Sequence, residues 1–508
     1  MSLDSHILSL MTFTPLLGAV LILCVPKGKD KVIKWIAAAA AFVPLVLAVR
    51  LYGLYDPSLG GVNVESQFQF VEKYSWIPNI NVEYFVGADG ISVPMILLTA
   101  LLSFLAVLGS FGIAKKIRGY MSLFLLLETG MMGTFIALDF FLFYVFWEIM
   151  LLPMYFLIGV WGGPRKEYAA IKFFLYTLAG SVLMLIVMLA LYFNTIDPAT
   201  GKHSFSLIHY MNQGTHSAWL QNFDIRILLW FALFVGFAIK VPLFPFHTWL
   251  PDAHVEAPTA ISVILAGVLL KMGTYGMMRI SFPIFPDATV YFAVPMAILG
   301  VVNIIYGALC AMAQSDLKKL VAYSSVSHMG FCLLGMAALT PLGMVGASMQ
   351  MFSHGMITAM LFFLVGVVYD RAHHRQIDGF GGLGVVVPIY TGFVAFAFFA
   401  SLGLPGLSGF VAEQMVFLGS FGVFRTLVII AALGIILVAA FHLWALQRVF
   451  LGPLNQKYAS LEEINRLEMF CLTPLGVLVL FVGVWPMSVV NLMSVSLTRL
   501  VDLVKAVI

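Results

Sequence analysis

Long apolar runs alternate with short polar segments along the whole chain. A bilayer core of about 30 Å is crossed by about 20 helical residues, and fourteen runs reach roughly that length. The pattern predicts an all-α polytopic membrane protein with about 14 transmembrane helices, forming one integral membrane domain over residues 1–508. The predicted spans are 7–26, 35–55, 90–113, 120–138, 140–162, 169–194, 225–248, 260–281, 290–313, 319–339, 343–368, 388–424, 426–450 and 469–495.

The composition excludes a chain that folds in water. Apolar residues make up 61% and charged residues 10% of the sequence, against about 45–50% and about 25% in soluble proteins. Soluble enzymes and nucleic-acid-binding proteins are therefore ruled out. The four cysteines, Cys24, Cys310, Cys332 and Cys471, lack the close spacing that zinc and iron–sulfur sites need. We expect no metal and no cofactor in this chain.

Basic residues fall in alternate loops, and this sets the expected orientation. By the positive-inside rule, loops rich in lysine and arginine face the cytoplasm. Because fourteen is an even number, we expect both termini on the outer, periplasmic side. The basic residues of these loops are Lys27, Lys29, Lys31, Lys34, Lys115, Lys116, Arg118, Arg165, Lys166, Lys318, Lys319, Arg371, Arg375, Arg448, Lys457 and Arg466.

Two of the spans contain helix-breaking residues. Pro242 and Pro245 lie in the seventh span, and Gly403, Pro405 and Gly406 lie in the twelfth. Proline removes a backbone donor and clashes with the preceding turn, so we expect both helices to be broken inside the membrane. Because the broken spans are five apart, spans 4–8 and 9–13 would be inverted repeats, as in many transporters. The expected parts are 1–119 with spans 1–3, 120–281 as first repeat, 290–450 as inverted second repeat and 469–508 as the C-terminal span.

Ionisable residues inside the apolar spans are the candidate functional site. A charge near the bilayer centre costs at least ~2.5–3.5 kcal/mol. A buried ion pair could explain any one of them, but a series over several spans favours a proton relay. Sodium would need several oxygen ligands at one point, whereas these acids are dispersed. The residues are Glu128, Glu148, Lys240, Lys271, His328, His354 and Glu413.

Some of these residues have a structural alternative. Glu128 could pair with a neighbouring helix, and His328 and His354 could be core histidines bonded to a carbonyl. Four further residues after the seventh span have metal-ligand side chains, but loop structure or proton uptake is the better interpretation. They are His247, Asp252, His254 and Glu256. We treat Glu128 and His247 as possible additional relay residues, and Lys172 and His442 as structural.

Four segments carry a family resemblance. They are FWEIMLLPMYFLIGVWGG from Phe146, FAIKVPLFPFHTWLPDAHVEAPTA from Phe237, SDLKKLVAYSSVSHMGF from Ser315 and LPGLSGFVAEQM from Leu404. They resemble the antiporter-like membrane subunits of respiratory complex I, an NADH:quinone oxidoreductase, and the similarity runs over almost the whole chain. Within this family, the chain is more similar to the group that lacks a long C-terminal extension.

The resemblance implies a proton channel without a redox centre. In the family a glutamate of the fifth span pairs with the lysine of the broken seventh helix, and a central lysine of the eighth span passes protons on. Two histidines follow, and an acid in the broken twelfth helix forms the exit-side site. In this sequence those positions are Glu148, Lys240, Lys271, His328, His354 and Glu413.

The resemblance also implies partners and a location. NAD, FMN, iron–sulfur clusters and quinone are expected in partner subunits, and the neighbours are expected to be other antiporter-like subunits of a bacterial inner membrane complex. Two alternatives stay open among relatives, namely a subunit of a multi-subunit sodium/proton antiporter and a subunit of a membrane-bound hydrogenase. A third, an inert membrane anchor, is disfavoured by the intramembrane ionisable residues.

Overall fold

Membrane-length helices make up most of the fold. The structure is a computed structural model that describes residues 3–197 and 200–506. Within these residues the spans are Ile7–Cys24, Asp30–Leu54, Ser92–Gly109, Ile117–Ile136, Phe140–Trp161, Lys166–Asn194, Phe223–Lys240 with Trp249–Glu256, Thr259–Ile284, Ala293–Met312, Leu317–Ala337, Pro341–Ala372, Pro388–Ser401 with Ser408–Phe421, Arg425–Phe450 and Arg466–Val484. A terminal helix, Met487–Lys505, follows them, and short helices Leu207–Met211 and Pro286–Tyr291 lie in loops.

The predicted multi-spanning helical fold is confirmed. In the described parts of the chain, 13 helices are long and apolar enough to cross a membrane. This number includes the terminal helix and leaves out the two broken spans. Phe223–Lys240 carries three charges, at Asp224, Arg226 and Lys240, while each half of the twelfth span has only 14 residues.

The seventh span is broken where its prolines predict. Its helix ends at Lys240, and helical structure resumes at Phe246. Asn303 of the ninth span binds the freed backbone, because its Oδ1 accepts from the Phe244 N–H at 2.7 Å and its Nδ2 donates to the Pro242 carbonyl at 3.3 Å. Broken backbone at membrane depth is tolerated where protein satisfies it in this way.

The twelfth span is also broken, around its glycines. Its two helices end at Ser401 and begin again at Ser408. Gly403 and Gly406 between them have φ angles of +82° and +92°, a region in which side chains with a Cβ are strained. The break therefore depends on glycine as well as on Pro405.

The eighth span is irregular in a way that the apolar pattern does not show. Its helix contains two π-helical turns, Leu265–Leu269 and Met277–Ser281, on either side of the segment that carries Lys271. π turns disturb the regular backbone hydrogen-bond ladder and occur often at functional sites.

A β-hairpin covers one end of the bundle, although the sequence predicted an all-α chain. Strands β1, Gln69–Ile77, and β2, Val82–Ala88, pair antiparallel. The hairpin is attached to the helices at the start of the fifth span, where the Leu138 N–H donates to the Phe85 carbonyl at 2.9 Å. We call this side of the molecule the hairpin end.

The predicted fourteenth span, 469–495, is wrong as a continuous helix. The chain bends at Trp485 and Pro486, and the terminal helix returns across the hairpin end. Ser496 Oγ accepts from the Gly90 N–H at 3.0 Å, and the Ser488 carbonyl accepts from the Tyr52 hydroxyl at 3.2 Å. The first turn of the chain is there too, because His6 contacts Glu72 at 3.1 Å. Both described ends therefore lie on one side, as an even number of crossings requires.

Burial separates central from peripheral spans. The most apolar stretches of the eighth and eleventh spans are 100% buried, and that of the tenth is 94% buried. The corresponding stretches of the thirteenth and fourteenth are 33% buried and present large apolar side chains such as Leu433 and Val477 outward. The central spans are the ones that carry Lys271, His328 and His354.

Candidate proton-translocation site

Lys240 and Glu148 form the first cluster of the site. Lys240 is the last residue of the first half of the seventh span, where a cation is favoured by the helix dipole. Its Nζ lies 5.2 Å from the ring centre of Trp147 and 5.6 Å from that of Phe173. Glu148 is close enough to Lys240 to interact with its charge. No ion pair within 4.0 Å joins them in the described residues, and Glu148 Oε1 is buried without a partner there.

Lys271 is the centre of the second cluster and is fully buried. Its Nζ donates to the Ala266 carbonyl at 2.5 Å, in the first π turn, and lies 2.8 Å from His354 Nδ1. The irregular backbone therefore supplies one partner for the lysine, and the eleventh span supplies the other.

His328 and Glu413 complete the second cluster. His328 Nδ1 lies 3.3 Å from Glu413 Oε1, and its Nε2 lies 3.1 Å from Ser401 Oγ. The ring centres of His328 and His354 are 5.5 Å apart. Lys271, His354, His328 and Glu413 thus follow one another across the centre of the molecule. The core-histidine alternative does not describe His354 and His328, because each has a ring nitrogen beside an ionisable side chain.

Glu128 and His247, the two additional candidates, make no hydrogen bond to either cluster among the described residues. Glu128 is fully buried, and neither of its carboxylate oxygens has a hydrogen-bond partner among the described residues. The structural alternative, in which Glu128 pairs with a neighbouring helix, is therefore not observed among the described residues. His247 packs against Phe244 and Tyr306, with ring centres 6.0 and 5.1 Å away, and its Nδ1 has no partner in the described structure.

The residues after the seventh span do not converge on a metal. Asp252 pairs with Lys172 at 2.7 Å and with Arg165 at 3.0 Å, and Glu256 Oε2 accepts from the Arg165 N–H at 2.9 Å. The described residues contain no group of three or more metal-ligand side chains that could hold an ion. Lys172 has the ion-pairing position expected of a structural residue, and His442 Nδ1 bonds the Val438 carbonyl at 2.9 Å.

His254 lies in the protein interior and not in an exposed loop. It is fully buried and stacks on Phe362 with ring centres 4.4 Å apart, and neither ring nitrogen has a partner among the described residues. Its surroundings include the charges of Lys271 and Lys318. It is next to a cavity of about 490 Å³ at the end opposite the hairpin, whose wall contains Val255, Glu256 and Lys318.

A buried ion pair between Arg279 and Asp89 was not predicted from the sequence. Arg279, two turns after Lys271 in the eighth span, pairs with Asp89, which follows strand β2, and both side chains are 0% exposed. Arg279 also donates to the Tyr275 hydroxyl at 3.2 Å and to Ser92 Oγ at 3.3 Å. An arginine inside the eighth apolar run was the signal that could have revealed it.

Paired broken helices around a line of buried lysine, histidine and glutamate define an antiporter-like membrane subunit, and family models support this class. Residues 137–440 match the model described as NADH:quinone oxidoreductase/Mrp antiporter, and residues 63–138 match NADH-ubiquinone oxidoreductase chain 4, amino terminus. The chain belongs to the family of NADH-quinone oxidoreductase subunit M, also called chain 4.

Relatives agree over nearly the full length. The chain is 42% identical to NADH-quinone oxidoreductase subunit M of Rhodobacter capsulatus, with 98% of this chain and 96% of the relative covered. It is 40% identical to NADH-ubiquinone oxidoreductase chain 4 of Chondrus crispus, with 98% of each covered. The resemblance to the antiporter-like subunits of respiratory complex I is thereby confirmed.

Solved structures show the same fold. A chain of respiratory complex I from Thermus thermophilus has a TM-score of 0.84 and 28% identity, covering 97% of this chain and 99% of that one. A chain of the Mrp complex from Dietzia also has a TM-score of 0.84, with 100% of both chains covered, but at 20% identity. The second likeness is one of fold alone.

Proposed function

We propose that this chain is a membrane-arm subunit of an NADH:quinone oxidoreductase and conducts protons through its two buried clusters. The observation that carries the proposal is the contact of Lys271 Nζ with His354 Nδ1 at 2.8 Å inside a fully buried centre. The chain-4 family match over residues 63–138 favours this enzyme over a sodium/proton antiporter. NADH oxidation and quinone reduction are assigned to partner subunits that hold NAD, FMN, iron–sulfur clusters and quinone.

The Glu148 and Lys240 cluster acts as the switch in this proposal. Opposite charges about 5 Å apart attract by about 3 kcal/mol at an effective dielectric constant near 20. Moving one proton against 100 mV costs ~2.3 kcal/mol. The free energy of this attraction is thus comparable with the cost of moving one proton. If Glu148 moves away and the attraction is removed, Lys240 releases its proton. Such a displacement would come from the neighbouring subunit.

Lys271 and His354 carry the proton across the centre. The Lys271 ammonium donates toward Nδ1 of a neutral His354 ring, which accepts the proton there and can release another from Nε2. His328 and Glu413, in contact with each other, receive it on the far side. The order of transfer runs from Lys240 to Lys271, then through His354 and His328 to Glu413. Glu128 and His247 remain possible side branches.

Substitutions in the assembled complex test this proposal. The variants Lys271→Ala, His354→Ala and Lys240→Ala remove relay groups, and we expect NADH-driven proton pumping in vesicles to fall at least tenfold. His442→Ala is the matched control, because it removes an equally buried histidine outside the relay. Amounts of assembled complex are measured in parallel. Unchanged pumping in all three relay variants would leave the chain as an inert anchor.

The enzyme assignment needs a separate experiment. The tagged chain is extracted in mild detergent, and its companions are identified while NADH:quinone reductase activity is measured. We expect flavin and iron–sulfur subunits, other antiporter-like subunits, and activity in the same fraction. Small membrane chains alone, with sodium-dependent proton exchange, would place the chain in an antiporter instead.

The orientation and the repeats are also part of the proposal. We place both termini on the periplasmic side of a bacterial inner membrane, and we treat 120–281 and 290–450 as inverted repeats. Cysteines placed at exposed Ser58 and Ser460 would report the orientation. A membrane-impermeant thiol reagent added to spheroplasts should label the first and spare the second.

A further inference from the structure

An open groove runs along the outer surface between the twelfth and fourteenth spans. It has a volume of about 420 Å³, and eight residues of Pro388–Ser401 and Arg466–Val484 line it. Thr473 is the only polar residue of the eight, and the other seven are apolar or glycine. Its rim includes large apolar side chains that are exposed, namely Ile389, Val477 and Leu480. The groove therefore faces the hydrocarbon of the bilayer.

Two glycines, Gly392 and Gly476, create this groove. A Cβ on Gly392 would meet nothing within 4 Å, and one on Gly476 would meet Phe396 and Met360 at ordinary distances of 3.6 and 3.9 Å. Helix packing therefore does not require glycine at either position. A stable protein interface involves about 20–30 residues a side, so a groove lined by eight residues suits one acyl chain better than a helix of another subunit.

The mouth of the groove lies at the end of the molecule opposite the hairpin. Arg466 is the first residue of the fourteenth helix, and Thr473 and Val477 follow on the same face, about two and three turns further along. Glu463 fastens the loop before this helix to the other wall, because its carboxylate accepts from the Ile389 N–H at 2.9 Å. Arg466 thus stands at the mouth of the groove.

Two opposite charges at this mouth have no partner. The Arg466 guanidinium and the Glu462 carboxylate are exposed and make no hydrogen bond or ion pair among the described residues. The other acids nearby are already bonded, since Glu463 accepts from three backbone N–H groups and Glu468 pairs with Arg371 at 2.7 Å. One free cation and one free anion match a headgroup that carries both charges better than an anionic one.

We propose that the groove binds one phospholipid with a zwitterionic, primary-ammonium headgroup, the chemistry of phosphatidylethanolamine. Its phosphate contacts Arg466, its ammonium contacts Glu462, and one acyl chain fills the space beside Gly392 and Gly476. The Thr473 hydroxyl donates to an ester carbonyl of the lipid. An acyl chain gains no hydrophobic free energy by leaving the bilayer, because lipid tails are as apolar as leucine. The headgroup contacts therefore supply the selectivity.

The test uses the assembled complex in vesicles that contain phosphatidylethanolamine with a photoreactive diazirine on one acyl chain. After irradiation, labelled peptides are identified by mass spectrometry, and competition by unlabelled phosphatidylethanolamine, phosphatidylcholine and phosphatidylglycerol is measured. Gly392→Leu fills the groove, and Arg466→Gln and Glu462→Gln each remove one charge. Gly53→Leu is the matched control, because Gly53 is also exposed on a helix, a Cβ there would meet nothing within 4 Å, and it does not line the groove.

We expect label on both helices of the groove in the wild-type complex, and about tenfold less in Gly392→Leu and in Arg466→Gln. Gly53→Leu should keep the wild-type yield. Glu462→Gln should reduce the preference for phosphatidylethanolamine over phosphatidylcholine, because only the primary ammonium has N–H bonds to donate. Equal competition by all three lipids, stronger competition by phosphatidylglycerol, or no label in the groove overturns the proposal.

An electron cryomicroscopy map of the complex in nanodiscs that contain phosphatidylethanolamine provides a second measurement. Density for a headgroup beside Arg466 and for a chain over Gly392 supports the site, and a helix of another subunit in the groove overturns it. If a variant does not assemble, the map and the competition in the wild type decide. No relay residue lines the groove, so these outcomes are independent of proton pumping, which Lys271→Ala tests.

Discussion

The two buried lysines are stabilised by different means. Lys271 has a carbonyl and a histidine nitrogen within hydrogen-bond distance. Lys240 has aromatic rings, the end of a helix and the charge of Glu148 instead. Aromatic rings and a helix terminus each contribute about 0.5–2 kcal/mol, which is below the cost of a charge at membrane depth. Lys240 therefore depends on Glu148, as a switch requires.

Gly403 provides a test at the scale of one residue. A Cβ on Gly403 would lie 2.8 Å from Glu413 Oε2, whereas a Cβ on Gly406 would meet nothing within 4 Å, although both glycines have positive φ. Gly403→Ala should displace the carboxylate from His328 and lower pumping about tenfold, while Gly406→Ala should show only the backbone strain. Pumping rates per assembled complex measure this, and equal losses would refute a contact effect.

At the scale of elements, the breaks of the seventh and twelfth spans have different chemistry. In the seventh, a side chain from another span bonds the freed backbone. In the twelfth, positive-φ glycines turn the chain, and the Leu407 N–H bonds the Leu404 carbonyl at 3.1 Å. Proline and glycine made both breaks visible in the sequence. The π turns of the eighth span contain no proline, and only Gly267 of the first turn is a glycine, so no cluster of helix-breaking residues marked them in the sequence.

Asn303 offers a test of the seventh-span break. Asn303→Leu leaves the Phe244 N–H and the Pro242 carbonyl without their partner, and each unsatisfied buried group costs about 1–3 kcal/mol. We expect a lower thermal midpoint and reduced pumping, because Lys240 lies two residues before Pro242. Thermal unfolding of the complex by intrinsic fluorescence measures the first effect. Ser327→Ala, which removes one bond to the Ile304 carbonyl at 2.8 Å, is the control and should retain pumping.

Asp139 connects the fifth span to the hairpin, and its ionisation should be visible in stability. Its carboxylate accepts from the N–H groups of Leu142 at 3.0 Å and Glu83 at 3.2 Å. Burial nevertheless raises the pKa of Asp139 to about 7. Because this lies above the unfolded value of about 4, the contribution of Asp139 to stability is complete below pH ~4 and is lost as the pH rises through about 7.

We therefore expect the thermal midpoint of the wild-type complex to decrease from pH 6 to pH 8 more than that of Asp139→Asn. Asparagine keeps an oxygen for the helix cap and has no charge to lose. Asp139→Ala should cost about 1 kcal/mol at pH 6, the usual effect of a lost cap, and less at pH 8, where the buried charge of Asp139 already lowers the stability of the wild type. Parallel pH curves for wild type and Asp139→Asn would contradict the raised pKa.

At the scale of the whole molecule, apolar run length was enough to predict a multi-spanning helical fold. Charges placed against that pattern pointed to residues that the structure gathers into two buried clusters. Their neighbours were not predictable, because Lys271 and His354 are 83 residues apart and only packing brings them together. The hairpin was missed because its segment is polar and irregular, and the terminal helix because 469–495 is apolar on both sides of its bend. Arg279 was visible in the eighth apolar run, but its partner Asp89 could not be assigned without the hairpin that precedes it.

The pair of Arg279 and Asp89 connects the hairpin end to the eighth span. Asp89 follows the hairpin and caps the third span through the N–H groups of Ile91 and Ser92, each at 3.1 Å. Arg279 belongs to the second π turn of the span that carries Lys271. The terminal helix covers the site, since its Ser496 binds the Gly90 N–H. The hairpin, the terminal helix and the span that carries Lys271 therefore meet around the buried pair of Arg279 and Asp89.

A double-mutant cycle at this pair tests the connection. Breaking a buried ion pair from one side costs about 3–5 kcal/mol, whereas replacing both partners by apolar residues is often neutral. We expect Arg279→Leu and Asp89→Leu each to reduce assembled complex and its thermal midpoint strongly, and the double variant to recover most of the loss. If the double variant pumps protons normally, the pair is a structural support for the relay helix. If it assembles but does not pump, the pair belongs to the coupling between the hairpin end and Lys271. Additive losses would show that Arg279 and Asp89 do not act on each other.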